Sequence, residues 1–184
     1  MASLEFPSAL FPGRPALELR VPDGWQAVPA VSELEGAALA ALRPLPEEEF
    51  KANVVVTVDE VVPEHSVRTD LDAVASSAAA RPQGATGEVY ARTIGGVTFF
   101  GRDISFVDPV AGTLLTSSLF GFLRHEVDGG LVRITVTGTI GAARHREDYA
   151  TLHGVIDGLR VTPAEGTTPL VDHALAVTGG EVRP

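Results

Sequence analysis

The chain has 184 residues, 45% of them apolar and 21% charged, which is the balance of a single globular domain able to bury a sizeable core. It contains no cysteine, so thiol catalysis, cysteine-rich metal sites and thiol redox switches are excluded. A formal charge of −10, from 24 acidic against 14 basic residues, argues against nucleic acid and anionic membrane surfaces as partners, because both require clustered Lys or Arg.

Residues 1–15 are rich in proline and apolar residues without a period and are expected to form a surface arm. They show no basic region followed by an apolar run, so no secretory signal is expected. No apolar stretch reaches the length of a membrane helix, so no membrane insertion is expected either, and the chain reads as cytoplasmic. Ala16 to Val21 alternates, with Leu17, Leu19 and Val21 on one side and Glu18 and Arg20 on the other, which predicts a half-buried strand. Pro22-Asp23-Gly24 is turn chemistry and places Trp25 at the start of a second strand. Ala37 to Leu42 is a short strand ahead of Pro44 and Pro46, and Glu47-Glu48-Glu49 is a solvated loop. The β-branched run Val54-Val55-Val56 within 50–58 predicts a strand covered on both faces.

Thr69 to Ala80 is predicted as the first helix, capped by Thr69 or Asp70, with Asp72 in its first turn and Arg81-Pro82 ending it. A meander follows, with strands over 88–94, 97–107, 113–126 and 131–140 separated by glycine-rich turns. A second helix, 146–159, carries Tyr149, Leu152, Val155, Ile156 and Leu159 on one stripe. Residues 163–184 turn polar and glycine-rich and read as a flexible tail, leaving 16–162 as the domain.

The last hairpin defines two faces. A turn at Gly129-Gly130 would pair Asp128 with Leu131 and set Gly121 opposite Gly138. One face then holds Leu119, Gly121, Leu123, Val127, Val132, Ile134, Val136, Gly138 and Ile140, a core face on whose shallow floor the second helix packs. The other holds Phe120, Phe122, Arg124, Arg133, Thr135, Thr137 and Thr139, joined by Phe100 and Arg102. Rings beside guanidinium groups suit a protein partner or a ligand with an apolar body and a polar head, and Phe100, Arg102, Phe120, Phe122, Arg124 and Arg133 are the candidate binding residues. The competing expectation is that the first helix or the arm covers these rings as a second core layer.

Chemistry is hard to find. There is no GxSxG elbow, P-loop, GxGxxG fingerprint or HExxH helix. Ser76-Ser77 and Ser117-Ser118 lack an elbow. His145 and His153 stand eight positions apart, too far for two imidazoles on one metal, and His125 points toward the core face. Asp103, Asp108 and Asp128 show no acid/base spacing, so no catalytic residue, metal or cofactor is expected.

Proline-Asp23-Gly24-Trp25 after a short strand, followed by Phe50-Lys51-Ala52-Asn53-Val54-Val55-Val56-Thr57, resembles the actinobacterial LpqN/LpqT lipoprotein family, which has a PsbP-like fold. The resemblance implies an α+β domain over about residues 16 to 162, an antiparallel sheet with helices on both sides, and a binding or accessory role without common enzymatic activity. Some members are associated with cell-envelope lipids. The chain departs from that family in lacking the signal sequence and the lipidated cysteine.

The leading expectation is a non-enzymatic adaptor that recognises a protein through the Phe/Arg face. The alternative is a carrier of a small amphipathic or lipid ligand in a pocket; a cryptic hydrolase or isomerase would need His, Asp and Ser to converge in one cleft. Homodimerisation through an uncovered sheet face or strand edge is a further option.

Overall fold

Alternation along the sequence becomes alternation in burial. The structure, a computed structural model, describes residues 2–6, 14–28, 37–44 and 50–171. The elements are β1 (Ala2–Phe6), β2 (Ala16–Val21), β3 (Gln26–Ala27), β4 (Ala37–Leu42), β5 (Asn53–Val61), α1 (Val67–Ala79), β6 (Ala85–Ile94), β7 (Val97–Asp108), β8 (Gly112–His125), β9 (Leu131–Gly141), α2 (His145–Asp157), β10 (Leu159–Thr162) and β11 (Thr167–Leu170). A larger antiparallel sheet runs β3-β4-β5-β9-β8-β7-β6, with β11 added to β8. A smaller one runs β1-β2-β10. Helix α1 packs on one face of the larger sheet, chiefly against β7 and β6, and α2 packs on the other, against β9, β5 and β2. The fold is α+β.

The main core lies on the α2 side. It joins Leu17, Leu19 and Val21 of β2, Val54, Val56 and Val58 of β5, the odd positions Leu119 and Leu123 of β8, Ile134, Val136 and Ile140 of β9, and Leu152, Val155 and Ile156 of α2. Leu152 seats directly on Gly138, where any Cβ would stand 2.6 Å from a leucine methyl, so helix and sheet approach at a distance only glycine permits.

Several expectations need correction. Part of the predicted arm is strand β1, antiparallel to β2, and part of the predicted tail is β11, paired to the end of β8. Residues 7–13 of the arm, the Glu47–Glu49 loop and the tail from 172 onward, including His173, lie outside the described residues. The valine run is not covered twice. Val54 and Val56 are fully buried while Val55, on the α1 side, is half-buried. Helix α1 starts earlier than predicted because Ser66 is its cap, its hydroxyl accepting from the Thr69 N–H at 3.3 Å. Asp70 cannot cap, since it is turned inward to an arginine. Helix α2 closes at Gly158, so Leu159 leaves the helical stripe and pairs in β10 opposite Leu19.

The last hairpin also differs. Residues 126–130 form a five-residue connection in which the Asp128 carboxylate accepts from the Gly130 N–H at 2.9 Å and the Gly129 N–H bonds to the His125 carbonyl at 3.0 Å. Leu131 therefore pairs with Arg124 rather than Asp128, Gly121 faces Ile134, and Gly138 faces Ser117. The slip is four residues. An even slip leaves every side chain on its predicted face, which is why the two faces survive the wrong register. Only Val127 is lost from the core face; at the loop tip it is 97% exposed.

Candidate functional site

The face turned toward α1 is a lattice of cross-strand rows. From β5 through β9 and β8 to β7 they read Asn53-Thr139-Thr116-Ile104, then Val55-Thr137-Ser118-Arg102, then Thr57-Thr135-Phe120-Phe100, and last Asp59-Arg133-Phe122. The predicted face residues do share this face. They do not form an open surface: Phe100, Phe120 and Phe122 are 5–7% exposed, packed under Val67 and Leu71 of α1 in a second core. The helix covers them because its one apolar stripe has no other place to bury.

The arginines have separate fates. Arg133 bridges Asp70 at 2.6 Å and Asp59 at 3.3 Å, and Asp70 also meets the His65 Nε2 at 2.9 Å. This network pins the start of α1 to β9 and β5. Arg124 is exposed near the β11 pairing. Arg102 lies beneath α1 and donates from Nη1 to the Leu71 carbonyl at 3.2 Å.

Beyond the rings the helix stays on the sheet, with Ala78 packed against Ile104, Phe106 and Leu114 in a third core, and a groove of about 770 Å³ opens along its side. Ala73, Val74 and Ser77 of α1 form one wall, and Ile104, Phe106 and Leu114 the other. Its floor is the hydroxyl array Thr116, Ser118, Thr137 and Thr139. Thr116 and Thr139 bond each other at 3.2 Å, while the hydroxyls of Ser118 and Thr137 make no side-chain hydrogen bond to another described residue. At the mouth, Arg81 stacks over the Phe106 ring at 4.0 Å. Asp108 beside it is occupied by the N–H groups of Ala111 and Val110, which hold its carboxyl below the usual range. Small polar groups set among apolar walls are the ordinary makings of a small-molecule site, and the volume is of that class.

Sequence reasoning missed a second polar cluster, on the α2 side. Tyr90 and Tyr149 both donate to Asp103, at 2.9 and 2.8 Å. Burial first, and then that hydrogen bond and the Asp103 charge, push the Tyr149 hydroxyl up to about 12; Tyr90 is raised in the same direction. Arg92 donates to Asp157 at 2.7 Å and to His153 Nδ1 at 2.9 Å. A guanidinium has only donors, so His153 Nδ1 accepts and the ring is neutral with its proton on Nε2. Burial and then the Arg92 charge hold the His153 pKa below its ordinary value. The spacing of Tyr149 and His153 on one helical face was legible; their convergence with Asp103 is a long-range pairing that no spacing announces.

Asp103 and Ser117 are paired in register, so His, Asp and Ser do gather under α2. They do not form a nucleophilic triad. Asp103 is filled by two tyrosines, His153 is held by an arginine rather than a carboxylate, and Ser117 is 0% exposed, its hydroxyl finding no hydrogen-bond partner among the described residues. The cluster ties α2 to β6 and β7. Among the described residues no group of His, Cys, Asp or Glu has the arrangement to hold a metal ion.

No protein-family model matches the chain, and no curated protein matches it either. Among solved structures it is similar to LpqN of Mycobacterium tuberculosis, a protein involved in cell envelope biogenesis. The identity is 14% over 88% of this chain and 91% of that one, with a TM-score of 0.67. The chain has the LpqN fold. Cyanobacterial PsbP from Synechocystis (17% identity, 79% of this chain and 86% of that one, TM-score 0.49) and the Ran-binding protein Mog1p of Saccharomyces cerevisiae (13%, 86% and 94%, TM-score 0.46) are looser matches, too distant to carry a further inference.

Proposed function

We propose that this domain is a non-catalytic binding protein that holds a small amphipathic molecule in the groove beside α1. The observation that supports it is the groove itself: apolar walls, a hydroxyl floor with two hydroxyls that no other described residue uses, and a volume of about 770 Å³. An adaptor role through the rings loses its contact surface, because the three phenylalanines lie under α1. The adjoining hydroxyl rows are what remains within reach of a ligand. The LpqN fold carries no reaction by itself and is compatible with binding.

The test uses two environment-sensitive dyes with the same aromatic body, neutral N-phenyl-1-naphthylamine and anionic 8-anilinonaphthalene-1-sulfonate. At least one is expected to give saturable, one-to-one fluorescence enhancement. Ser77→Trp, which fills the groove from its helical wall, should abolish that enhancement while circular dichroism and the melting temperature stay native. Binding that survives in the filled variant sinks the proposal, as does failure of both dyes to bind.

A further inference from the structure

We infer that the ligand of this groove is uncharged, with a small head that both donates and accepts hydrogen bonds, such as an alcohol or a carboxamide, set on the hydroxyls of Ser118 and Thr137. Its apolar body lies between Ala73 and Val74 on one side and Ile104, Phe106 and Leu114 on the other. The inference rests on the binding role proposed above and names the chemistry of its ligand.

Charge decides the first half. Among the described residues three ionisable side chains line the groove: Asp70, Arg81 and Asp108. Asp70 is buried, bridged by Arg133 at 2.6 Å and met by His65 at 2.9 Å. Asp108 accepts from the N–H groups of Val110 and Ala111 at 2.9 and 2.8 Å. Arg81 lies over the Phe106 ring at the mouth, where Asp108 lines the groove beside it. Arg102, next to Ser118 in the cross-strand row, donates to the Leu71 carbonyl and does not line the groove. A positive head would therefore have to displace Arg133 from Asp70. A negative head would find its one cation at the mouth, next to a carboxylate. Deeper in, the groove offers hydroxyls and apolar carbon, and an ion moved there loses its hydration with no opposite charge to replace it. A neutral head needs only partners for its hydrogen bonds.

The floor supplies those partners. Thr116 and Thr139 stand opposite each other across β8 and β9 and bond at 3.2 Å. Ser118 and Thr137 stand opposite each other in the next row, and neither hydroxyl bonds to the other or to any other described residue. Ser118 is 7% exposed and lines the groove, so its hydroxyl is a nearly buried polar group left for something in the groove to complete. Each hydroxyl can donate or accept. The pair can therefore meet a donor and an acceptor at once, which is what an alcohol or a carboxamide presents.

A set of competitors with one chain and three heads isolates the point. Octanol, octanoate and octylammonium are titrated at neutral pH against the neutral dye bound in the groove. In the wild-type protein octanol is expected to displace the dye at concentrations about tenfold lower than either ion requires. Thr137→Val keeps the shape and removes a hydroxyl. It should weaken octanol about fivefold, the scale of one neutral hydrogen bond, and weaken the dye, whose N–H needs an acceptor. Ser118→Ala should do the same, so the reading does not depend on one variant folding. Octanoate or octylammonium matching octanol, or binding of the sulfonated dye alone, overturns the neutral head and leaves the binding role standing. Octanol affinity that stays at the wild-type level in both variants overturns the placement of the head on Ser118 and Thr137. Binding of neither dye removes the inference and the binding role together.

Discussion

Under α2 the large sheet presents Leu119, Leu123, Ile134, Val136 and Ile140, all fully buried, together with a polar cluster whose carboxylate and arginine are occupied by partners. Under α1 the same strands present three rings at one end and a hydroxyl floor at the other, with Arg102, which meets no carboxylate among the described residues. The helices are equal in length, 13 residues each, so the difference lies in what the sheet offers them. Glycine at 138 lets α2 sink onto the sheet, whereas α1 rests on the ring layer at one end and on Ile104, Phe106 and Leu114 at the other, and the groove runs along its side. One face of the sheet is closed for stability, and the other is only partly closed.

Stability measurements should register that asymmetry first. Leu152→Ala leaves a cavity over Gly138 that the rigid strand cannot fill, and a loss of about 4 kcal/mol is expected in urea unfolding, near the upper part of the range for such truncations. Phe120→Ala under α1 should cost about 3 kcal/mol, because the ring is part of a smaller core whose neighbour, the groove, admits water to the vacated space. A Phe120 variant that keeps full stability would return the rings to the surface and break the comparison. Losses in the reverse order would mean that α1 carries the tighter packing.

The elements and their faces were legible in the sequence because period-two alternation in β8 and β9 survives an even slip in register. The register itself was not. The Asp128 side chain bonding to its own turn produces a five-residue connection where Gly129-Gly130 alone suggests a tight one. Helix α1 was legible from its alanines, but its start was misplaced because Ser66 and Asp70 are both acceptable caps in isolation. Only the distant Arg133 shows which of them is spent elsewhere. The site was half legible: Thr135, Thr137, Thr139, Arg102 and Arg133 were placed on one face, while nothing local says that α1 runs beside the threonines and leaves a groove over them. The Tyr90, Asp103, Tyr149 and His153 cluster joins the β6–β7 hairpin to a helix 46 residues further along, from Asp103 to Tyr149, and no single window contains its pattern.

A gentler probe of the closed face is acid. His153 is neutral in the folded protein, faced by Arg92 and Tyr149 and by the carboxylates of Asp157 and Asp103, and its pKa lies below that of the unfolded chain. The unfolded state therefore binds the extra proton first. Stability contributed at this position is intact above about pH 6.5, the ordinary histidine value, and falls as the pH drops from there to the lowered folded pKa. In His153→Gln that slope should flatten across the window, measured by urea midpoints at successive pH values. An unchanged slope would mean that the Arg92 contact does not hold the ring neutral.

The smallest stability effect belongs to the open face. Thr137→Val keeps a β-branched shape on β9 and removes a hydroxyl that no other described residue uses, so the change in unfolding free energy is expected to stay within about 0.5 kcal/mol. The same substitution is expected to weaken dye binding in the groove that Thr137 lines. That separation, full stability with impaired binding, is the signature of a residue kept for recognition rather than packing. A loss as large as that of a core residue would instead show that the hydroxyl rows serve the fold, and the contrast between the two faces would then shrink to a difference in side-chain chemistry.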